Sequence, residues 1–240
     1  MSLVYEPRGR AKEYADLALN LYSGCTHGCK YCYAPSALQR NREVFHQSVG
    51  PRTDIIAKLE RELSRDTRVD KSPVLLCFTT DPYHTETTPE VTRRAIEILH
   101  AHGYPVHILT KGGMRAADDF DLLTCHDDAF ASTLTFLDAK DSREWEPNAA
   151  LPDDRFQAMK LAYSQGIAIW ASLEPVIDPE QSLEIIRHTH EYVNLYKIGV
   201  WNYDSRAKAI DWHKFGHEAI ALCEDYGRDY YIKHDLRRWL

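Results

Sequence analysis

Apolar residues along this chain gather in short, strand-length runs separated by stretches of helical period. The first run is Leu17-Ala-Leu-Asn-Leu-Tyr22, which stops at Ser23-Gly24. Val74-Leu-Leu-Cys-Phe-Thr79, Val106-His-Ile-Leu-Thr110 and Phe130-Ala-Ser-Thr-Leu-Thr-Phe136 follow, then Ile167-Ala-Ile-Trp-Ala-Ser-Leu173 and Val193-Asn-Leu-Tyr-Lys-Ile198. Their length and their β-branched and aromatic content suit buried strands. Between them, Ile55, Ile56, Leu59 and Leu63 place a helix over 54–64. Val91, Ala95, Ile98 and Leu99 place another from Pro89 to about His102, where Gly103 stops it. Further helices are expected near 115–124, over Asp153–Gln165 before Gly166, over Pro179–His190, and over 211–226 before Gly227. Tyr230-Tyr-Ile-Lys233 reads as a short closing segment.

Six strands alternating with helices imply βαβ units on a parallel sheet. No GxGxxG follows the first strand, which removes the main support for a dinucleotide-binding fold. The expected architecture is α/β: a partial (β/α)6 barrel of parallel strands with outer helices, its chemistry at the C-terminal strand ends. No internal repeat, low-complexity tract or linker interrupts the 240 residues. One domain is therefore predicted, with 1–15 an N-terminal extension and 205–240 a last helix and closing segment.

Candidate chemistry concentrates at those strand ends. After the first strand comes Gly-Cys25-Thr-His-Gly-Cys29-Lys-Tyr-Cys32-Tyr-Ala, three thiols within eight residues. A structural zinc site fills all four positions with protein ligands. Three cysteines suit a [4Fe–4S] cluster whose fourth iron stays open for a small molecule. A zinc knuckle completed by His27 or a remote cysteine is the alternative. Thr79-Thr80-Asp81 follows the second strand, Thr110-Lys111 the third, and Glu174-Pro175 the fifth.

Composition narrows the setting. No apolar run approaches the roughly 20 residues of a membrane span. The N-terminus has no signal-type apolar region, and six cysteines, three of them clustered, read as ligands rather than a disulfide framework. The cytoplasm is the expected location. A net charge of −7 argues against a broadly basic nucleic-acid surface, yet residues 1–62 carry nine Lys/Arg against seven Asp/Glu. Arg8, Arg10, Lys12, Arg40, Arg42 and Arg52 are candidates for a local basic rim. Lys233, His234, Arg237 and Arg238 form a second basic group, placed to contact phosphates or to cap a helix.

Together, Cys-Thr-His-Gly-Cys-Lys-Tyr-Cys-Tyr-Ala-Pro, Thr-Thr-Asp-Pro-Tyr-His and Gly-Tyr-Pro-Val-His-Ile-Leu-Thr-Lys resemble the spore photoproduct lyase-like branch of the radical SAM superfamily, over about residues 15–200. The resemblance implies that Cys25, Cys29 and Cys32 bind the cluster and that Lys111 contacts the carboxylate of S-adenosylmethionine (SAM). It implies that Thr80 and Thr133 add hydrogen bonds to SAM, and Asp81 and Glu174 are grouped with the cofactor contacts. It further implies a reductant of flavodoxin or ferredoxin type, a 5′-deoxyadenosyl radical, and a nucleobase-type substrate, such as a thymine-derived base in DNA. A peptide, protein or small-metabolite substrate is the alternative within the superfamily, and a non-catalytic zinc or iron–sulfur module is the alternative outside it.

Tyr31 and Tyr33 correspond to the lyase's tyrosine pair, of which one is a hydrogen relay; packing or shielding of the cluster is the other role open to them. The lyase's hydrogen-donating cysteine falls, with Asp81 as anchor, at Phe78. Cys77 stands one residue early, which on a strand turns a side chain to the opposite face, so it is expected to point outward into the helix layer. Cys125 and Cys223 are expected in the core. His84 and Tyr83, beside Asp81, and Trp201, in Trp-Asn-Tyr after the sixth strand, are the candidate substrate contacts.

Overall fold

The structure is a computed structural model that describes residues 2–84, 89–124 and 126–240. Seven parallel strands run in sequence order across one sheet: β1 (Leu17–Leu19), β2 (Val74–Leu76), β3 (Val106–Thr110), β4 (Ala129–Thr133), β5 (Ala168–Leu173), β6 (Leu195–Ile198) and β7 (Asp229–Ile232). The expected six-strand barrel therefore gains a strand. Asp229-Tyr-Tyr-Ile buries only Ile232, so the apolar signal of β7 is weak, yet it pairs with β6 from Leu195↔Asp229 to Ile198↔Ile232.

The helices are α1 (Ala34–Ala37), α2 (Arg42–Gln47), α3 (Ile55–Leu63), α4 (Pro89–Ala101), α5 (Ala139–Trp145), α6 (Pro152–Ser164), α7 (Pro179–Thr189), α8 (Trp212–Asp225) and α9 (His234–Arg237). The stretch expected as a helix near 115–124 is 3-10 over Gly113–Leu122. Local chemistry sets the boundaries. Asp178 accepts from Gln181 N–H ahead of Pro179, and Asp211 accepts from Lys214 N–H, which satisfies otherwise orphaned donors. Pro152 opens α6 with Asp153 and Asp154 in its first turn, where the helix dipole favours negative charge.

Both faces of the sheet are apolar, as a parallel sheet requires. Leu17, Leu19, Val74, Leu76, Ile108, Phe130, Ile169 and Ile198 pack outward on Leu59, Leu99, Met159 and Ile186 of the helices. The alternating residues Ala18, Leu75, Ala129, Ala131 and Trp170 face inward with Tyr5, Tyr14 and Phe78.

β1 and β2 end earlier than their apolar runs because Asn20 takes over. Its carboxamide oxygen accepts from Phe78 N–H and Thr79 N–H, both at 2.8 Å, and its Nδ2 donates to the Tyr5 hydroxyl at 2.8 Å. The N-terminal segment links the two edges of the sheet. Tyr5 exchanges backbone hydrogen bonds with Ala18 of β1. At the other edge Glu13 accepts from His234 N–H at 2.6 Å, and Arg10 pairs with Asp235.

Candidate active site

At the C-terminal ends of the strands a cleft of about 640 Å³ opens. Cys25, Cys29 and Cys32, in the loop between β1 and α1, line it together with His27, Thr80, Asp81, Lys111 and Thr133. Cys25 and Cys29 are buried and Cys32 is partly exposed. Burial pushes the Cys29 thiol up to about 12.

The loop is tied down at several points. Arg42 donates to the carbonyl oxygens of Cys32 at 2.9 Å, of Lys30 at 2.7 Å, and of Cys29. His46 Nδ1 lies 2.8 Å from the Cys25 carbonyl. Gly24, at φ +149°, passes so close to α2 that a Cβ would sit 2.5 Å from the Phe45 carbonyl oxygen. From α5 onward, Trp145 O accepts from Lys30 N–H at 2.8 Å and Asn148 donates to Thr26 O at 2.8 Å.

Two buried carboxylates hold the loop's surroundings. Asp81 accepts from Thr110 Oγ1 at 2.6 Å and from the N–H groups of Tyr83 and Lys111, each at 2.8 Å. Burial works to raise its pKa, and the nearby His27 with these donors outweighs that and holds it below the ordinary carboxylate range. Asp81 borders the cleft but spends its oxygens on the ends of β2 and β3. Glu146 accepts from Tyr31 and, at 2.5 Å, from Arg155, whose Nη1 donates to Thr133 O at 2.9 Å. Both partners of this ion pair are about 1% exposed.

Tyr31 and Tyr33 thus differ. The Tyr31 hydroxyl is engaged with Glu146 and Thr135, and burial raises its pKa well above the ordinary value. Tyr33 is 41% exposed and donates to Phe78 O, at 3.0 Å.

Across the cleft Glu174 directly follows β5. It accepts from Tyr14 at 2.8 Å, from Lys233, and from Asn202 at 3.4 Å. Lys233 is 3% exposed and stands 3.9 Å from the Tyr14 ring centroid. Trp201 lines the same side, packed edge-on against Trp145 at 5.6 Å.

Tyr83 and His84 do not reach the cleft wall. Tyr83 is buried and donates to Asp119 at 2.9 Å, and His84 packs on Tyr22 with Nδ1 3.4 Å from Thr26. They lie behind the cysteine loop because the chain turns inward at Pro82, whose carbonyl accepts from Thr92 at 2.8 Å. Cys77 packs in the outer core and yet, against the outward position expected from its one-residue offset, also borders the cleft, near the hydroxyl of Thr80. Phe78 occupies the inner layer, 5.7 Å from the Tyr14 ring. Cys223 is buried in the outer core, and Cys125 lies outside the described residues.

Of the basic rim, Arg40, Arg42 and Arg52 donate to backbone carbonyls, and Arg8 and Arg10 border the cleft. The Glu146–Arg155 pair and Tyr14 are site residues that the sequence left unmarked. An acidic and a basic residue nine apart carry no spacing signal, and Tyr14 sits in a stretch without period.

The site fits an iron–sulfur cluster with SAM. Cys25, Cys29 and Cys32 border one cleft from a single loop, a donor set suited to a cluster that offers its irons at separate corners. His27 Nε2 on the wall has no partner among the described residues, and Thr80 Oγ1 has none beyond the Cys77 thiol. Lys111 makes no ion pair among the described residues and faces the Tyr31 ring at 5.5 Å, which leaves its charge for a carboxylate.

The parallel sheet carries three cysteines in the loop after its first strand. The family model of the Radical SAM superfamily matches residues 19–193, and the chain belongs to that superfamily. It is a radical SAM enzyme. An uncharacterized protein of Acidianus two-tailed virus is 25% identical over 213 residues, 81% of this chain and 68% of the relative. An uncharacterized protein of Mycobacterium tuberculosis is 35% identical over 105 residues, 42% of this chain and 31% of that protein, so this match spans about a third of the relative. The fold is shared with a cysteine-to-serine mutant of spore photoproduct lyase, at a TM-score of 0.74 and 12% identity, over 98% of this chain and 80% of the lyase. It is also shared with Streptococcus suis SuiB bound to S-adenosylmethionine, at 0.63 and 15%, over 90% and 50% of the two chains. No described helix is long and apolar enough to cross a membrane.

Proposed function

We propose that this radical SAM enzyme acts on a nucleobase-type substrate, with a thymine-derived base in DNA as the favoured form, which it repairs or rearranges. The observation that carries this reading is the division of one cleft into two walls. Three thiols and Lys111, which makes no ion pair among the described residues, occupy one, and Phe78, Trp201, Asn202 and Glu174 occupy the other, with Arg8 and Arg10 also bordering the cleft. A solved structure of spore photoproduct lyase with AdoMet and dinucleoside spore photoproduct bound has the same fold, at a TM-score of 0.72 and 12% identity, and supports the reading.

Cys25, Cys29 and Cys32 would hold the cluster, and Lys111 the carboxylate of SAM, with Thr80 and Thr133 beside it. Bound together, the two cofactors supply one-electron cleavage of SAM and a carbon radical able to take hydrogen from an unactivated C–H bond. The electron comes from a flavodoxin- or ferredoxin-type carrier. The protein's part is to hold and to screen. Arg42 fixes the carbonyls between the cysteines, and Asp81 sets the backbone of Lys111. Tyr33 is the phenol placed to meet substrate, since Tyr31 is committed to Glu146. A duplex base would be extruded to enter, at a cost of a few kcal/mol.

Anaerobic reconstitution tests the centre: about four irons and four sulfides per chain are expected, and Cys→Ala at 25, 29 or 32 should abolish them. Full retention in all three variants would reject the assignment. SAM cleavage stimulated by thymine-containing oligonucleotide, with binding that weakens as salt rises, tests the substrate class. Stimulation by peptides or metabolites alone would overturn it.

A further inference from the structure

The wall opposite the cysteines carries a charged pair that packing does not require. Glu174 and Lys233 have side chains 18% and 3% exposed, and both border the cleft. Withdrawing two charges from water costs more than their attraction returns unless further hydrogen bonds complete them, so such a pair adds little stability for its own sake. The surroundings fix its orientation. Tyr14 donates to Glu174 Oε2 at 2.8 Å and shares a 2.8 Å hydrogen bond with Ser172, while burial, and then Glu174, keeps this phenol protonated well above its ordinary pKa. Gly199 leaves the carboxylate its space, since a Cβ there would lie 2.6 Å from Glu174 Oε1.

The two carboxylate oxygens are unequally served. Oε2 accepts from Tyr14 and Lys233, whereas among the described residues Oε1 receives only the long 3.4 Å contact from Asn202 Nδ2. The carboxylate that borders the cleft thus has spare capacity at Oε1, with the Lys233 ammonium on its other oxygen and the Asn202 carboxamide N–H2 beside Oε1. Donor, acceptor, donor is the complement of acceptor, donor, acceptor, and among the bases only the imide edge of thymine or uracil shows that order, as C=O, N–H, C=O. Cytosine offers a donor and two acceptors, adenine a donor beside an acceptor. Trp201, next to Asn202, adds an aromatic face on the same wall.

We propose that Glu174, Lys233 and Asn202 form a subsite for the imide edge of a pyrimidine, with Glu174 Oε1 accepting the ring N3–H and Lys233 and Asn202 donating to the two carbonyl oxygens. This rests on the nucleobase reading above and moves Glu174 from the cofactor to the substrate. A site that pairs with a buried N–H rejects analogues lacking it, because its own groups are then left unpaired.

The test is equilibrium binding of thymidine, N3-methylthymidine and deoxycytidine to the anaerobically reconstituted holoenzyme with SAM present. Thymidine should bind about tenfold or more tightly than either of the others. Glu174→Gln should erase that preference while SAM affinity and iron content stay within about twofold. Equal binding of thymidine and N3-methylthymidine by the unmodified enzyme, a comparison that needs no variant to fold, would overturn the subsite alone. So would a Glu174→Gln enzyme that keeps the preference and loses SAM. Absence of binding by all three nucleosides and by a thymine-containing oligonucleotide would instead remove the nucleobase reading, and this inference with it.

Discussion

The two walls of the cleft handle buried charge in opposite ways. On the cysteine side each buried carboxylate is closed within the protein: Asp81 has three donors and His27, and Glu146 has Arg155, Tyr31 and, at 3.3 Å, Ser142. On the far side Glu174 and Lys233 are paired with each other yet still border the cleft, and Glu174 Oε1 retains capacity. The first arrangement positions backbone, namely the loop that carries the thiols and the ends of β2, β3 and β4. The second presents hydrogen-bonding groups to a ligand. Tyr31 and Tyr33, two residues apart, show the same division, one locked and one partly exposed.

The comparison breaks most visibly in stability. Glu146→Gln would strand the Arg155 guanidinium, about 1% exposed, without its counter-charge. Breaking a buried pair from one side costs about 3–5 kcal/mol, to be read from denaturant unfolding of the apoprotein. Glu174→Gln, at a carboxylate whose own side chain is 18% exposed beside the cleft, should cost clearly less. Equal losses at the two sites would remove the distinction between a closed and an open wall.

How much of this was visible beforehand follows from what each signal depends on. The cysteine spacing and the alternation of apolar runs are local patterns, and they indicated the cysteine loop, six of the strands and the placing of Lys111 at a strand end. β7 escaped because its burial is confined to Ile232, and α5 because Ala139–Trp145 lacks an apolar period. The pairs that make the walls are long-range: Tyr14 with Glu174, Asn20 with Phe78, Tyr31 with Glu146. No residue type or spacing announces such partners; only the folded sheet brings them together. Tyr83 and His84 show the reverse error, since polar residues beside a strand end were read as open to the cleft and the turn at Pro82 buries them.

A smaller effect should separate cofactor holding from substrate reading. Lys111 has its backbone N–H on Asp81 and its ammonium free of ion pairs among the described residues. Lys111→Ala should weaken SAM binding by roughly 1–3 kcal/mol, the range for hydrogen bonds to charged groups, with iron content and the thymidine preference unchanged. Calorimetry of SAM binding to the reconstituted enzyme measures it. Unaltered affinity would reject the role, and a lost thymidine preference would show that the two walls are not independent.

The smallest effect lies beneath the far wall, in Lys197. Its ammonium donates to the carbonyl oxygens of Tyr14 at 2.7 Å and Glu13 at 3.4 Å, and it stands 4.8 Å from the Trp170 ring centroid. Burial, reinforced by Lys233, lowers its pKa from 10.5 to about 8 despite the opposing Asp16 and Glu13. Between those two values the unfolded chain keeps a proton that the native state has released, so this residue makes stability rise with pH across the window. Below about 8 both states are charged and the burial penalty is constant. The buried phenol of Tyr14 and thiol of Cys77 act in the other direction as the solution grows more alkaline, since folding raises their pKa values, Cys77 to about 12. A difference measurement cancels them. The unfolding free energy of the parent minus that of Lys197→Met should climb with pH from 8 to 9.5, by about 1 kcal/mol per unit at most. A flat difference would mean that Lys197 keeps its proton in the folded protein. The floor of the far wall would then be as well compensated as the cysteine side.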